Sequence, residues 1–188
     1  MIARYVKVFV TAFSASFPSI LGGRVLRSAI WQFFFKKSSG FVFDSCLISG
    51  FRNIELGPSC VFMSGLKLYA DTGNVKIGSR CSVNHNVIID GSNGGSIEIG
   101  DDVLIGPNVV LRSSNHIYSD LHEPIRNQGH QGGNIRIGNN VWIGSNVCIL
   151  SGANIKDGCI IAAGAIVSGT CKPNAIYGGV PAKLLKYR

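Results

Sequence analysis

Residues 137–167 read IGNNVWIGSNVCILSGANIKDGCIIAAGAIV, and this stretch decides the fold. Aliphatic side chains fall on Ile137, Ile143, Ile149, Ile155, Ile161 and Val167, one at every sixth position. Four places after each comes a second small or apolar residue: Val141, Val147, Ala153, Cys159, Ala165 and Cys171. A period of six is neither the 3.6 of a helix nor the alternation of a simple strand. It suits a chain that makes a short strand, turns, and makes another, with every aliphatic side chain aimed at one interior. Three hexads close a triangular coil of 18 residues, the interval from Ile137 to Ile155. Coils joined by ladder hydrogen bonds stack about 4.8 Å apart. The expected fold is an all-β solenoid, a parallel β-helix of five to six coils.

The period extends upstream through Leu56/Phe62/Leu68, Ile77/Val83/Ile89 and Ile99/Ile105/Leu111. Turn residues punctuate it at Gly57-Pro58, Gly78-Ser79, Asp101-Asp102, Gly106-Pro107-Asn108 and Asn139-Asn140. Coil starts at Leu56, Ile77, Ile99, Ile137 and Ile155 are spaced 21, 22, 38 and 18 residues apart, so insertions of 3, 4 and 20 residues interrupt the 18-residue repeat. All three fall at one corner, after the third hexad of a coil. The longest, about 116–134, reads HIYSDLHEPIRNQGHQGGN and holds three of the four histidines. A long excursion from a rigid solenoid is a place for function.

Cys60, Cys81, Cys159 and Cys171 take the small inward slot of the repeat, where a thiol serves as a compact hydrophobe. Cys46 and Cys148 lie outside that register. None has a partner at a redox or metal spacing. The chain of 188 residues is 46% hydrophobic and only 15% charged, which argues against disorder, and no apolar run reaches the length of a bilayer span. Its net charge of +8 lies at the ends. Residues 1–43 carry six basic residues and no acid, and residues 172–188 carry four and no acid.

The first seventeen residues have the outline of a secretory signal, but Thr11 and Ser14 interrupt the apolar run and no cleavage site follows. The reading favours a cytoplasmic protein, peripheral at the inner membrane through residues 1–40, where Trp31, Phe33, Phe34 and Phe35 cluster among basic residues. The same segment suits a helix capping the open end of the solenoid. The expected division is 1–40 as cap or membrane-contacting segment, 41–172 as β-helix with its loop, and 173–188 as basic tail.

The segment from Ile77 to Arg188 resembles the hexapeptide-repeat acyltransferases. It is most similar to the galactoside and maltose O-acetyltransferases and to the bacterial polysaccharide O-acetyltransferases. The motifs that carry the resemblance are Asn84-His85-Asn86, Ile105-Gly106-Pro107-Asn108, Ser114-Asn115-His116, the run Ile137 to Ser145, and Gly178-Gly179-Val180-Pro181-Ala182-Lys183. The resemblance implies a left-handed β-helix, a homotrimer with active sites between subunits, acetyl-CoA as cosubstrate, and no metal. It implies that His116 is the general base, a role that imidazole suits near neutral pH. It implies further that the Ser145 backbone N–H stabilises the oxyanion, and that Asn84 and Trp142 lie by the acceptor. Ala163 would line the pantetheine arm, and Lys183 and Lys186 would meet the CoA phosphates where family members use Arg. Lys172 would compensate for Gly169, which stands where a basic residue is common. Glu123 is the candidate for orienting His116.

The activity implied is O-acetylation of a sugar hydroxyl on a glycan or sugar-nucleotide acceptor in surface polysaccharide biosynthesis. N-acetylation of an amino-sugar nucleotide or other small amine is the alternative. A zinc-dependent carbonic anhydrase on a β-helix needs three converging histidines. His85 stands two places after Val83 and His116 five after Leu111, out of register with each other. Nucleic acid binding would use the charge but would leave the loop unexplained, and no aromatics interleave with basic residues on the solenoid.

Overall fold

The computed structural model describes residues 46–188, the short strand Phe41–Val42 and the isolated positions 23, 25 and 29. The cap or membrane-contacting role expected of residues 1–40 lies outside the described residues. From Leu47 onward the chain winds through three parallel sheets, each one face of a triangular prism, and Phe41–Val42 pairs with Val61–Phe62 on the first of them. The first face includes Val61–Phe62, Ser82–Val83, Leu104–Ile105, Trp142–Ile143 and Ile160–Ile161. The second includes Lys67–Tyr69, Ile88–Asp90, Val110–Arg112, Cys148–Leu150 and Ile166–Val167. The third includes Asn74–Ile77, Ser96–Ile99, Asn134–Ile137 and Asn154–Ile155.

The hexad sets the register. Phe62 stands opposite Val83, Val83 opposite Ile105, Ile105 opposite Ile143, and Ile143 opposite Ile161. All are buried. Equivalent stacks run through Leu68, Ile89, Leu111, Ile149 and Val167, and through Leu56, Ile77, Ile99, Ile137 and Ile155. Each fully buried aliphatic side chain contributes about 1.5–3 kcal/mol, so a column of five holds its coils firmly together. The thiols add polar links between coils. Cys60 Sγ donates to the Gly78 carbonyl at 3.0 Å and Cys81 Sγ to that of Gly100 at 3.1 Å.

Corners form where the backbone turns left-handed. Asn86, Asn108 and Asn146 have φ of 57°, 58° and 58°, a region that asparagine tolerates better than other residues with a Cβ. Their side chains form an amide ladder: Asn86 Nδ2 donates to Asn108 Oδ1 at 3.3 Å, and Asn108 Nδ2 to Asn146 Oδ1 at 3.1 Å. At the corner between the third and first faces, Asp101, Asn139 and Asp157 each accept the backbone N–H of the coil before, at 2.7–2.8 Å.

The winding begins a coil before Leu56, inside the expected 41–172, and continues past residue 172. One coil earlier, Leu47–Ser49 pairs with Lys67–Tyr69, and Cys46 is buried beside it, an inward position rather than one outside the register. Residues 173–188 are not a tail. Ala175–Gly178 adds a strand to the first face, and Lys183–Tyr187 folds back antiparallel along it. Cys171 also differs from expectation. The corner after Val167 is two residues shorter than the regular hexad from Ile149 to Ile155, so Cys171 falls opposite Ile155, in the large hexad position.

The outward sides of the faces differ in chemistry. On the third face Glu55, Lys76, Glu98 and Arg136 alternate in sign, with Lys76–Glu55 at 3.9 Å and Arg136–Glu98 at 3.7 Å. That face is suited to water. The first face turns Leu104 and Trp142 outward at 52% and 53% exposure, and the second turns out Ile88, Val110 and Ile166. The second face also carries Lys67 and, toward the arm, the ion pair Arg112–Asp90 at 3.1 Å, so the apolar side chains of the two faces meet chiefly along the edge they share.

Candidate active site

The long excursion is built as an arm. It occupies residues 113–133, between Val110–Arg112 and Asn134–Ile137. Its two sides pair antiparallel, with Ser114 opposite Gly132, Asn115 opposite Gln131, and His116 opposite His130. The base lies tight between the preceding and the following coil. A Cβ on Gly132 would sit 2.4 Å from the Gly94 carbonyl carbon, and one on Gly133 would sit 2.1 Å from Ser151 Oγ. Ser113 and Ser114 are buried there, and Ser113 Oγ donates to the Asp90 carbonyl at 3.2 Å. His116 is the third residue out from this anchored base and is exposed. Its ring faces that of His130, with centroids 4.1 Å apart and planes tilted by 40°.

Gln128 clasps the tip. Its Nε2 donates to the carbonyls of Asp120 and Glu123, both at 2.8 Å, and its Oε1 accepts the Asp120 N–H at 3.0 Å. Both loop carboxylates serve the same turn. Asp120 Oδ1 accepts the His122 N–H at 2.8 Å, and Glu123 Oε2 accepts from Asn127 Nδ2 at 3.2 Å. Glu123 therefore has Asn127 as its hydrogen-bond partner, and the ring beside His116 is that of His130. Spacing within a loop carries no register, so the pairing of two residues fourteen apart is visible only once the arm has closed.

Ser145, Ala163 and Asn84 lie elsewhere, on the edge where the two apolar faces meet. Gly144 N–H donates to the Ile161 carbonyl and Gly164 N–H to the Ser145 carbonyl, but the Ser145 N–H makes no hydrogen bond among the described residues. Gly106 leaves room for it: a Cβ there would be 2.8 Å from the Ser145 nitrogen. An unpaired backbone donor at a rigid corner is equipped to receive an anion. Asn84 Oδ1 accepts the His85 N–H at 2.7 Å, so its amide is shared with the turn. Trp142 stands three residues before Ser145, outward on the first face.

Of the lysines, Lys183 is opposite Gly178, whose Cβ would meet that of Ala162 at 3.2 Å, which places Lys183 near Ala163. Lys186 is opposite Ile176 on the same strand pair. Lys172 follows the strand Thr170–Cys171 at the other edge of the first face, away from Ala163. His116 and Ser145 are themselves on different edges. The second face separates them, roughly 15 Å of strand at about 3.3 Å per residue.

The sequence model of the family described as bacterial transferase hexapeptide (six repeats) matches residues 134–169. The chain is 40% identical over 115 residues to the galactoside O-acetyltransferase of Escherichia coli K12, an alignment covering 60% of this chain and 54% of that enzyme. It therefore spans about half the length of that curated relative. A maltose O-acetyltransferase from Clostridium difficile 630 superposes with a TM-score of 0.69 at 25% identity, covering 98% of this chain and 85% of the other. AntD, an N-acyltransferase from Bacillus cereus solved as a point mutant with dTDP and coenzyme A, superposes at 0.73 with 19% identity, covering 85% and 88%. The chain belongs to the hexapeptide-repeat acetyltransferase family, and its solenoid is the left-handed β-helix of that family.

Proposed function

We propose that the chain transfers an acetyl group from acetyl-CoA to a sugar hydroxyl, and that the acceptor belongs to a surface polysaccharide. The observation that carries this is the anchored arm presenting His116, on a solenoid whose opposite edge offers the unpaired Ser145 N–H. In this reading His116 removes the hydroxyl proton as the oxygen attacks the thioester carbon. The Ser145 N–H holds the negative oxygen of the tetrahedral intermediate. His116 then returns the proton to the departing CoA sulfur. Protons and charge balance without a metal.

Because the two groups lie on different edges, one site takes His116 from one copy and Ser145 from another. The two apolar faces flanking the Ser145 edge supply surface for such a contact, and a closed trimer satisfies it for every copy. Acetyl-CoA would lie along Ala163 toward Lys183 and Lys186, whose ammonium groups keep charge on the phosphates without a bidentate grip. The acidless, aromatic stretch before residue 40 favours an acceptor presented at a membrane surface.

Purified protein is offered acetyl-CoA with sugar and amine acceptors, and the products are examined by mass spectrometry and alkaline treatment. An acetyl ester, released by base, supports the reading. A base-stable amide would replace it with N-acetylation, and no transfer to either class would remove it.

A further inference from the structure

The edge that carries Ser145 has a second polar feature. Successive ladder bonds define one corner position: Asn86 N–H donates to the Ser64 carbonyl, Asn108 N–H to that of His85, Asn146 N–H to that of Pro107, and Gly164 N–H to that of Ser145. Ser64, His85, Pro107 and Ser145 are thus stacked on four successive coils. Ser64 Oγ and His85 Nδ1 are 2.7 Å apart, and the His85 N–H is held by Asn84 Oδ1 at 2.7 Å. The imidazole is exposed, fixed at both its ring and its backbone, and its Nε2 has no partner among the described residues. The pair ends there, since Pro107 offers no side-chain donor or acceptor to continue it. A polar ring held rigid at the surface loses little freedom on meeting a ligand.

The geometry points to the Ser64–His85 pair as an acceptor subsite that hydrogen-bonds a hydroxyl of the sugar unit adjoining the one acetylated. This rests on the sugar-transfer reading above and adds to it that the acceptor is an oligosaccharide. With the donor's pantetheine along Ala163, on the C-terminal side of Ser145, the acceptor lies on the N-terminal side, over Pro107 and His85. His85 is two coils from Ser145, about 10 Å. That is beyond substituents of the reacting ring and within reach of a sugar linked to it.

The test compares galactose and glucose with lactose and maltose as acceptors, following CoA release. Wild-type protein is expected to show a lower KM for the disaccharides. His85→Ala raises the disaccharide KM roughly 5–10-fold, the loss of one hydrogen bond, while the monosaccharide kcat/KM and the KM for acetyl-CoA hold. Ser64→Ala, which frees the ring without removing it, gives a smaller rise in the same direction. His85→Asn, an amide of the kind found at the neighbouring corner, serves if the alanine variant does not fold. A folded His85 variant that slows all four sugars equally would assign the pair to corner structure and overturn the subsite. So would a wild type indifferent to acceptor length. Transfer to amines and to no sugar would instead sink the sugar-transfer reading itself.

Discussion

The imidazoles of His116 and His130 face each other across the two sides of the arm, with ring centroids 4.1 Å apart. One is the proposed proton acceptor, and the other fixes where that acceptor stands. His116→Ala should lower kcat by about 10²–10⁴ with the dissociation constant of acetyl-CoA unchanged, measured by steady-state kinetics and calorimetry. His130→Ala should lower kcat less, about 3–10-fold, the scale of losing one side-chain contact of about 1 kcal/mol. Full activity in the His116 variant would refute its assignment.

The Gln128 side-chain amide makes three hydrogen bonds within the arm and is not among the proposed reacting groups. Gln128→Ala should leave global Tm nearly unchanged and increase amide exchange across residues 117–129. The activity loss should be smaller than that of His116→Ala. A large fall in Tm would mean that the arm is part of the folding core.

The proposed oxyanion donor is the Ser145 backbone rather than its side chain, so Ser145→Ala should retain activity within about threefold. Gly106→Val, which drives a side chain toward the Ser145 nitrogen, should cost far more. Equal effects of the two variants would argue against a backbone role.

Trp142 and Leu104 are in register on the first face and more than half exposed. Replacing both with Glu should dissociate the proposed trimer, as read by light scattering, and abolish transfer while the β-sheet circular dichroism signal persists. An active monomer would contradict a site shared between copies.

Burial pushes the Cys171 thiol up to about 12. An ordinary thiol ionises near 8.5. The native state therefore holds this proton over a range in which the unfolded chain releases it, so stability falls as pH rises from about 8.5 to 12. Unfolding free energies from urea titrations between pH 8 and 10.5 should fall by up to about 1.4 kcal/mol per pH unit from this group, and Cys171→Val should flatten the dependence. A core deletion sets the scale for comparison: Ile143→Ala should cost about 2–5 kcal/mol.

The hexad made the coils legible because each inward side chain must recur at a fixed number of residues for a parallel ladder to stay in register. Leu56, Ile77, Ile99, Ile137 and Ile155 are one column of the core, and they were already spaced as one in the chain. The same arithmetic found the long excursion and the histidine at its start. It misplaced Cys171 because a corner two residues short shifts the register without any local mark. It read the last sixteen residues as a tail because Ala175–Gly178 follows that shortened corner and Lys183–Tyr187 reverses direction.

Sequence alone therefore determined the winding, its interior columns and the place where it is broken, since all three follow from the period of one chain. Only tertiary structure decided which polar groups meet. His130 reaches His116 because the arm closes on itself, and Ser64 reaches His85 because consecutive coils are stacked. The separation of His116 from the Ser145 edge is likewise a property of the prism's three sides. Neither residue's neighbours in the chain carry a trace of it.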